Sequence, residues 1–548
     1  MPPPEVLSLV MIFISRCRSA AFRKGALEVI SLAAVLLCLG LVAGCGGCGG
    51  GDEGGGSAAA TAPLGRVMVI GFDGLEPGRV RRLAAQDRLP NFSKVIQEGI
   101  FTDLMTVLPP SSAPAWTSAV TGVNPGKHGI YGFLKEPSSD DNAPIVFNTS
   151  RQRGFQAVWE VLTGYGRTSC VLNIPLTSPA DSLNGYMVAG FPHTSDDPRD
   201  KYFPAGLGSR LADYDIDDIE TPEGLGREDR FIMRMDAMSS RLRAMGLELL
   251  DERDWDLYWI VFTFTDRHQH FFWKYIDPEH PMYDPVQART YGGMIDGAYE
   301  KADAYLGEFM KRLGEDDLLI IMSDHGFGEL HYTINARNFA YRTVGTAENV
   351  LCSDFFGGVF KVEVTGRNAD ERYASIRDRL IENLGDLKDP ERGVSLVDSI
   401  YRKEDIYSGP YLGKAPDVIC LERSGYLFSR LPRTSDLRIL DRGPNPLWTH
   451  TGYHRRNGSL GLYGPAVEAG TDIHARITDI APIILAYLGV PAPDEVDGAV
   501  PEGAFAPAAA ERIQMARSGT SGYRKPAGLS PHDTEKIENQ LRAVGYIQ

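Results

Sequence analysis

The sequence predicts an α/β fold: a doubly wound, mostly parallel sheet flanked by helices. Apolar, β-branched runs alternate with helical patterns along most of the chain, as in crossover connections between parallel strands. Three of these runs lead to an aspartate, in VMVIGFD at Asp73, IVFTFTD at Asp266 and LLIIMSD at Asp324. Reacting groups in open α/β sheets gather at the carboxyl ends of the strands, so we expect these carboxylates at one edge.

The remaining elements follow in chain order. The first strand is predicted over 66–73, a helical stretch extends to about Gly99, and a short helix in AWTSAVTG ends at Gly122. Helices are predicted over 226–253 and 287–313. Later strands are predicted in TSCVLNIP, GYMVAGF, WDLYWIVFTFT, DLLIIMSD, DVICLE and GSLGLYG.

Two stretches break this alternation, 191–225 and 345–440, and we interpret both as insertions over the active-site edge. The catalytic domain is then predicted over 66–505. Residues 506–548 form a C-terminal extension whose last helix is predicted to begin near Ser530 and Pro531, an N-cap residue followed by proline at the first helical position.

The composition limits the classes of partner. The chain has 548 residues, of which 43% are hydrophobic, which suits a large packed core, and its formal charge is −16. A surface of that sign repels nucleic acid polymers, so none is expected as a partner. A phosphate-bearing small molecule would depend on locally focused cations, which bound metal ions supply.

The N-terminus has the pattern of a targeting segment. Basic residues precede the apolar run ISLAAVLLCLGLVAG, which is short for a membrane span and ends at Gly44. The ending Val42-Ala43-Gly44-Cys45 resembles the lipobox of bacterial lipoproteins, so we expect a signal peptide over 1–44, lipidation of Cys45 and a Gly/Ala-rich tether over 45–65. The protein is therefore predicted to be an extracytoplasmic, membrane-anchored lipoprotein. An uncleaved anchor or an ordinary signal peptide is the alternative.

Six side chains in widely separated segments are candidate metal ligands. Asp266 and His270 are four residues apart, which places both on one face of a helical turn. Carboxylate and imidazole groups are common ligands of catalytic zinc, and two ions would use six of them. The candidates are Asp73, Asp266, His270, Asp324, His325 and His454.

Ser112 is the candidate nucleophile. It lies in LPPSSAPAW just before a short helix, where the helix N-terminus favours an alkoxide and an incoming phosphate. An ordinary helix N-cap is the competing interpretation, and Ser111 is the rival hydroxyl. Together with the ligands, the pattern indicates a metal-dependent hydrolase of phosphate esters.

The ordered segments FDG, PPSSAPAWTSAVTGVNPGKHGIYGF, TDRHQH, SDHGFG and GYHRRNG resemble the alkaline phosphatase superfamily over roughly residues 66–500. They are most similar to the branch that contains type I phosphodiesterases and nucleotide pyrophosphatases. The resemblance implies that one Zn2+ is held by Asp73, Ser112, Asp324 and His325, and a second Zn2+ by Asp266, His270 and His454, although other divalent metals suit the same ligands. It also implies that Ser112 forms a covalent phosphoserine.

One departure concerns the substrate. Phosphodiesterases of this branch often place an asparagine downstream of the nucleophile to bind a phosphate oxygen, and the corresponding residue here is Phe133. Lys135 and Arg267 are the candidate replacements. The metal centre would equally serve a phosphomonoesterase or a phosphotransferase, and a catalytically inactive, lipid-tethered binding protein is the alternative outside enzymes. Trp116 stands where a sulfatase would carry arginine, which argues against that class.

The lipobox interpretation predicts that Cys45→Ala blocks lipidation and cleavage after Gly44, because the modified thiol directs both steps. The variant should accumulate as an unprocessed precursor, measured as intact mass and partitioning into detergent. Normal maturation and detergent-phase partitioning of the variant would contradict the lipobox.

Overall fold

A nine-stranded sheet organises the chain in the computed structural model. The structure describes residues 59–135, 147–193, 195, 197–211, 227–345, 349–352, 357–364, 368–430, 434–436, 438–442, 450–514, 516–526, 537–538 and 540–541. The predicted signal segment, Cys45 and most of the tether lie outside these residues, as do Ser530 and Pro531. Among the described residues, no helix combines the length and apolar character needed to cross a bilayer.

The central sheet has the strand order β17-β2-β16-β7-β1-β6-β3-β4-β5. All of its strands share one direction except β16 and β5, which are antiparallel to their neighbours. The strands are β1 (Val67–Phe72), β2 (Ile100–Met105), β3 (Ser169–Leu172), β4 (Gly185–Val188), β5 (Tyr202–Phe203), β6 (Leu257–Phe262), β7 (Leu318–Met322), β16 (Asn457–Tyr463) and β17 (Ala475–Arg476). The mostly parallel α/β architecture predicted from the sequence is confirmed.

Helices cover both faces of this sheet. The α-helices are α1 (Pro77–Ala84), α2 (Pro90–Glu98), α3 (Ser112–Thr121), α4 (Pro125–His128), α5 (Val158–Gly164), α6 (Pro198–Lys201), α7 (Glu228–Asp251), α8 (Phe264–Phe272), α9 (Pro285–Tyr291), α10 (Met294–Met310), α11 (Ala336–Val344), α12 (Ala369–Gly385), α13 (Lys403–Ile406), α14 (Ile480–Tyr487) and α15 (Pro507–Ala510).

The sequence of β1 shows why both faces need cover. Val67 and Val69 point into one hydrophobic cluster, and Met68, Ile70 and Phe72 point into the other, because successive side chains of a strand alternate between faces. Every residue of the strand is buried. Such a continuous apolar run is what a central parallel strand requires.

The region from 326 to 455 builds two smaller sheets. One has the order β11-β12-β10-β9 and the other joins β13, β8 and β14, with β15 paired to β8. Their strands are β8 (Gly326–Asn335), β9 (Asn349–Cys352), β10 (Gly358–Glu363), β11 (Val397–Arg402), β12 (Val418–Glu422), β13 (Gly425–Ser429), β14 (Leu440–Asp441) and β15 (Gly452–Arg455).

Several predicted elements differ from the structure, and three of the differences have a clear physical reason. DVICLE forms β12 of a small antiparallel sheet rather than a strand of the central one. The helix predicted over 287–313 is two helices, because Gly292 and Gly293 interrupt it. Strand β2 was not predicted, since its sequence IFTDLM is only partly buried and lacks a continuous apolar run.

Helix α3 connects the fold to the candidate site. All ten of its residues are buried, and it ends at Gly122, whose φ of 72° is a left-handed conformation that glycine adopts without strain. The backbone N–H of Ile130 donates to Nδ1 of His128, so the Nε2–H of this imidazole donates to Ser118 Oγ of the helix at 2.9 Å. His128 is fully buried and neutral in this arrangement.

This imidazole makes stability depend on pH. Burial, with a smaller effect of Arg153, lowers the pKa of His128 to about 3. Below pH of about 6.5 the unfolded chain binds a proton here that the folded chain does not, so the free energy of unfolding falls as the pH drops from there toward 3, by up to about 1.4 kcal/mol per pH unit.

We therefore expect the loss of unfolding temperature between pH 7 and pH 5 to be smaller in His128→Gln than in the wild type, measured in chelator by circular dichroism. All other side chains are common to the two proteins, so the difference isolates His128. Equal losses in the two proteins would contradict a buried neutral imidazole.

Candidate metal centre and nucleophile

Three adjacent parallel strands bring the three candidate carboxylates together. Strand β1 lies between β6 and β7, with Phe72 in register with Phe262 and Gly71 with Met322. Asp73 follows β1 directly, Asp324 follows β7 after one residue, and Asp266 lies in the first turn of α8 beyond β6. All three side chains are at most 4% exposed. Their convergence follows from the shared direction of the strands.

The three candidate imidazoles share one orientation. Nδ1 of His270, His325 and His454 lies 3.0 Å from the carbonyl oxygen of Gly452, Gly326 and Pro110, respectively. A carbonyl oxygen only accepts hydrogen bonds, so each Nδ1 carries a proton. In the neutral ring the Nε2 lone pair then points into the cluster, which is the tautomer of a metal-bound histidine whose other nitrogen donates to a carbonyl.

The inward atoms lie close enough to share cations. Nε2 of His270 is 3.1 Å from Nε2 of His454 and 3.2 Å from Asp266 Oδ1. Nε2 of His325 is 3.3 Å from Asp324 Oδ2 and 3.5 Å from Asp73 Oδ1. Two ligand groups result, Asp266, His325 and His454, and Asp73, Asp324 and His325, each with its donor atoms within 4.8 Å of one another.

The unsatisfied atoms of this cluster fit a metal. Oδ1 of Asp73, Oδ1 of Asp266 and Oδ2 of Asp324 are buried and accept no hydrogen bond from the described residues. One proton between Nε2 of His270 and Nε2 of His454 would let these rings form a hydrogen bond, but it would not neutralise the negative charge of three buried carboxylates. Divalent cations do both, and mixed oxygen and imidazole donors suit zinc and similar ions.

Electrostatics at the carboxylates lead to the same conclusion. Burial, together with the charges of Asp324 and Asp266, raises the pKa of Asp73 well above its ordinary value. Burial and the charge of Asp266 raise the pKa of Asp324 to about 7. Burial and the neighbouring negative charges therefore disfavour the ionised form of Asp73 and Asp324, and a bound divalent cation favours it.

Ser112 meets the cluster from a distant segment. It is the first residue of α3, it is buried, and its Oγ lies 3.3 Å from His325 Nε2. Ser111 is the N-cap residue, and its side chain makes no capping hydrogen bond. Of the two serines, the structure therefore brings Ser112 into contact with the candidate ligands.

Two neighbouring groups donate hydrogen bonds that orient the carboxylates. Trp116 Nε1 donates to Asp73 Oδ2 at 3.1 Å, and the Gly74 backbone N–H donates to Asp324 Oδ1 at 3.3 Å. Gly74 has a φ of +68°, and an added Cβ would lie 3.2 Å from the Asp266 Cα, so this close approach requires glycine. The FDG motif hinted at Gly74, but no pattern indicated Trp116 or the carbonyl acceptors.

The two candidate substrate-binding residues differ in position. Arg267 is buried beside the cluster, with Nη1 3.2 Å from Asp266 Oδ2 and its guanidinium 5.6 Å from the centre of the Phe191 ring. Lys135 is exposed and makes no hydrogen bond or ion pair with the cluster in the described part of the chain. Phe133 is buried and packs edge-on against Phe191, with ring centres 6.1 Å apart.

Two further histidines near the motifs have supporting positions. His450 stacks on the ring of His270, with centroids 3.9 Å apart. His268 points away from the cluster, where its Nδ1 bonds the Phe264 carbonyl and its ring stacks on Phe272. His268 is buried among the rings of Phe231, Phe264 and Phe272.

Carboxylates at parallel strand ends, inward imidazoles and a buried serine define a hydrolase of phosphate esters in the alkaline phosphatase superfamily. The chain belongs to the type I phosphodiesterase / nucleotide pyrophosphatase family, whose model matches residues 67–452. Members of this family depend on metal ions. No curated protein sequence matches the chain.

Solved structures resemble this chain at low sequence identity. Phosphonoacetate hydrolase from Sinorhizobium meliloti 1021 in complex with phosphonoformate superposes with a TM-score of 0.53 at 15% identity, over 79% of this chain and 98% of its own. Murine ectonucleotide pyrophosphatase / phosphodiesterase 5 has a TM-score of 0.47 at 15% identity, over 78% of this chain and 96% of its own. The likeness to the phosphonoacetate hydrolase concerns the fold.

The cluster predicts that His270→Ala lowers the bound divalent metal, because it removes an Nε2 that faces both Asp266 and His454. Elemental analysis of protein purified without chelator measures the metal per chain. His331→Ala is the matched control, since this imidazole pairs with Asp277 outside the cluster and should leave the metal unchanged. Equal metal contents in the two variants would contradict a role of His270 as ligand.

Proposed function

We propose that this protein is a two-zinc phosphodiesterase that acts through a covalent phosphoserine at Ser112. The observation that carries the proposal is the position of Ser112 Oγ, 3.3 Å from His325 Nε2 and beside the orphaned carboxylate oxygens. Asp73, Ser112, Asp324 and His325 would hold one ion, and Asp266, His270 and His454 the other. Bound zinc would supply Lewis-acid chemistry, lowering the hydroxyl pKa and offsetting charge on the phosphoryl oxygens.

The position of Ser112 suits in-line attack on phosphorus. Ser112 Oγ forms a bond to phosphorus as the ester P–O bond to the leaving group breaks; the hydroxyl proton passes to solvent, and the leaving alkoxide takes up a proton from water to become the alcohol. Water then cleaves the bond between Ser112 Oγ and phosphorus, which restores the hydroxyl and releases the phosphate monoester. The N-terminus of α3 directs its backbone N–H groups and partial positive charge toward the phosphoryl group throughout.

Arg267 supports the same chemistry from the other side of the cluster. Three ionised carboxylates carry −3, and the adjacent guanidinium contributes +1 within a buried site. A guanidinium binds two phosphate oxygens in a fixed geometry, which a single lysine ammonium does not. We therefore infer that Arg267, rather than the exposed Lys135, binds the non-bridging oxygen that an asparagine binds in related enzymes.

Membership in the phosphodiesterase family favours diesters as substrates. Phe133 in place of the asparagine weakens that preference, because a buried phenyl ring offers no hydrogen bond to the phosphate. A phosphomonoesterase or phosphotransferase on the same metal centre is therefore the second candidate. A panel of chromogenic monoesters and diesters separates the two.

Ser112→Ala should remove nearly all turnover of a chromogenic diester, by at least about a thousandfold, because it removes the hydroxyl that contacts the candidate ligands and would form the covalent intermediate. Circular dichroism should show an unchanged fold. Ser111→Ala is the matched control, one residue away on the same turn, and should retain activity. Loss of activity in Ser111→Ala with activity retained in Ser112→Ala would place the nucleophile one residue earlier.

A further inference from the structure

The C-terminal extension packs in a hydrophobic cluster that includes the neighbour of the candidate nucleophile. A hydrophobic cluster, which we name the Ala113 cluster, begins at the residue after Ser112. Two of its members come from the far end of the chain, and both are fully buried. The cluster consists of Ala113, Ile130, Phe133, Leu134, Phe147, Leu176, Phe191, Ile537 and Leu541.

The extension is fixed before it reaches this cluster. Tyr523 packs edge-on against Phe155, with ring centres 5.3 Å apart, and the Arg524 backbone N–H donates to the Gly154 carbonyl at 2.9 Å. The Arg524 guanidinium contacts both carboxylate oxygens of Glu160 at 2.9 Å. These contacts bind the extension to the catalytic domain upstream of Ile537.

A polar contact sets the position of the last described residues. The backbone N–H of His193 donates to Gln540 Oε1 at 2.6 Å. His193 is two residues from Phe191, so the same short segment contacts the extension through its backbone and through the Ala113 cluster. Ile537 and Leu541 are spaced four apart, which places both on one face of a helical turn, toward this cluster.

Phe191 links this packing to the phosphate site. The Phe191 ring packs against Phe133, the residue at the position of the expected asparagine. The same Phe191 ring contacts the guanidinium of Arg267. A guanidinium over an aromatic ring gains from the ring quadrupole, and the gain increases when both are desolvated, as here. The position of Phe191 therefore influences where Arg267 places its nitrogens.

We propose that Ile537, Gln540 and Leu541 are positioning residues of the phosphate site: they fix Phe191 against Phe133, and Phe191 in turn fixes the Arg267 guanidinium toward the phosphoryl group. This inference rests on the proposed function, because it assigns phosphate binding to Arg267. The family model matches residues 67–452. Residues beyond 526 would therefore contribute to the phosphate site from outside the region that the family shares. Ile537, Gln540 and Leu541 touch no reacting atom, so their effect passes through Phe191.

A double-mutant cycle tests the coupling, with inorganic phosphate as the probe. We expect Leu541→Ala to raise the inhibition constant of phosphate and the KM of a chromogenic ester by about fivefold, with a smaller change in kcat, because the binding geometry of Arg267 loosens. In an Arg267→Ala background, the same substitution should change the inhibition constant by less than about twofold. Truncation after Pro526 should act in the same direction as Leu541→Ala and more strongly.

Ile513→Ala is the matched control. Ile513 is a buried aliphatic residue of the same extension, but it packs in the larger cluster on the central sheet. The control should lose stability as Leu541→Ala does and leave phosphate inhibition unchanged. Gln540→Ala, which removes no core volume, supplies a second test if Leu541→Ala fails to fold.

Two outcomes distinguish failure of the positioning role from failure of the proposed function. If Arg267→Ala weakens phosphate binding but Leu541→Ala and Gln540→Ala do not, or if their effects are additive with it, the positioning role is wrong and the proposed function stands. If the wild type hydrolyses no phosphate ester and phosphate does not bind, the proposed function itself fails.

Discussion

Three buried carboxylates and three inward-facing imidazole nitrogens, held within a few ångströms of one another, are the constraint on which the rest of the structure depends. Each Nδ1 is bound to a carbonyl, so the rings cannot turn their lone pairs away from one another. Like charges and facing lone pairs at these distances are unfavourable in a buried site unless a cation lies between them. The buried oxygen and nitrogen atoms of these six side chains are therefore arranged to bind positive charge.

The central sheet creates that constraint from distant parts of the sequence. Parallel strands β7, β1 and β6 deliver the three aspartates to one edge, and β15, paired with β8 outside the sheet, delivers His454. Helix α3 then presents Ser112 from a separate segment, held by the contact of Ser118 with the neutral His128. The three aspartates and His454 thus meet through pairing of strands that are far apart in the sequence.

Much of this arrangement could be predicted from the sequence. The apolar runs before Asp73, Asp266 and Asp324 are long and uninterrupted, because strands buried on both faces need apolar residues at every position. That pattern predicted the strands, their shared direction and the edge at which the carboxylates meet. The spacing of Asp266 and His270 also predicted the helical turn on which both lie.

The rest could not be predicted, for physical reasons. The acceptors that fix the imidazoles are backbone carbonyls of Gly452, Gly326 and Pro110, and backbone groups leave no mark in the sequence. DVICLE contains a short apolar run, VICL, like those of the central strands, and its pairing partners place it in the smaller sheet. The Ala113 cluster brings together Ala113 and Leu541, which are over four hundred positions apart, and local periodicity does not encode such packing.

Anomalous X-ray diffraction from crystals of the protein, recorded on both sides of the zinc absorption edge, tests the central claim most directly. Two peaks are predicted, one among Asp266, His270 and His454, and one among Asp73, Ser112, Asp324 and His325. An active protein whose crystals show no anomalous peak for any divalent metal within this cluster would contradict the metal centre.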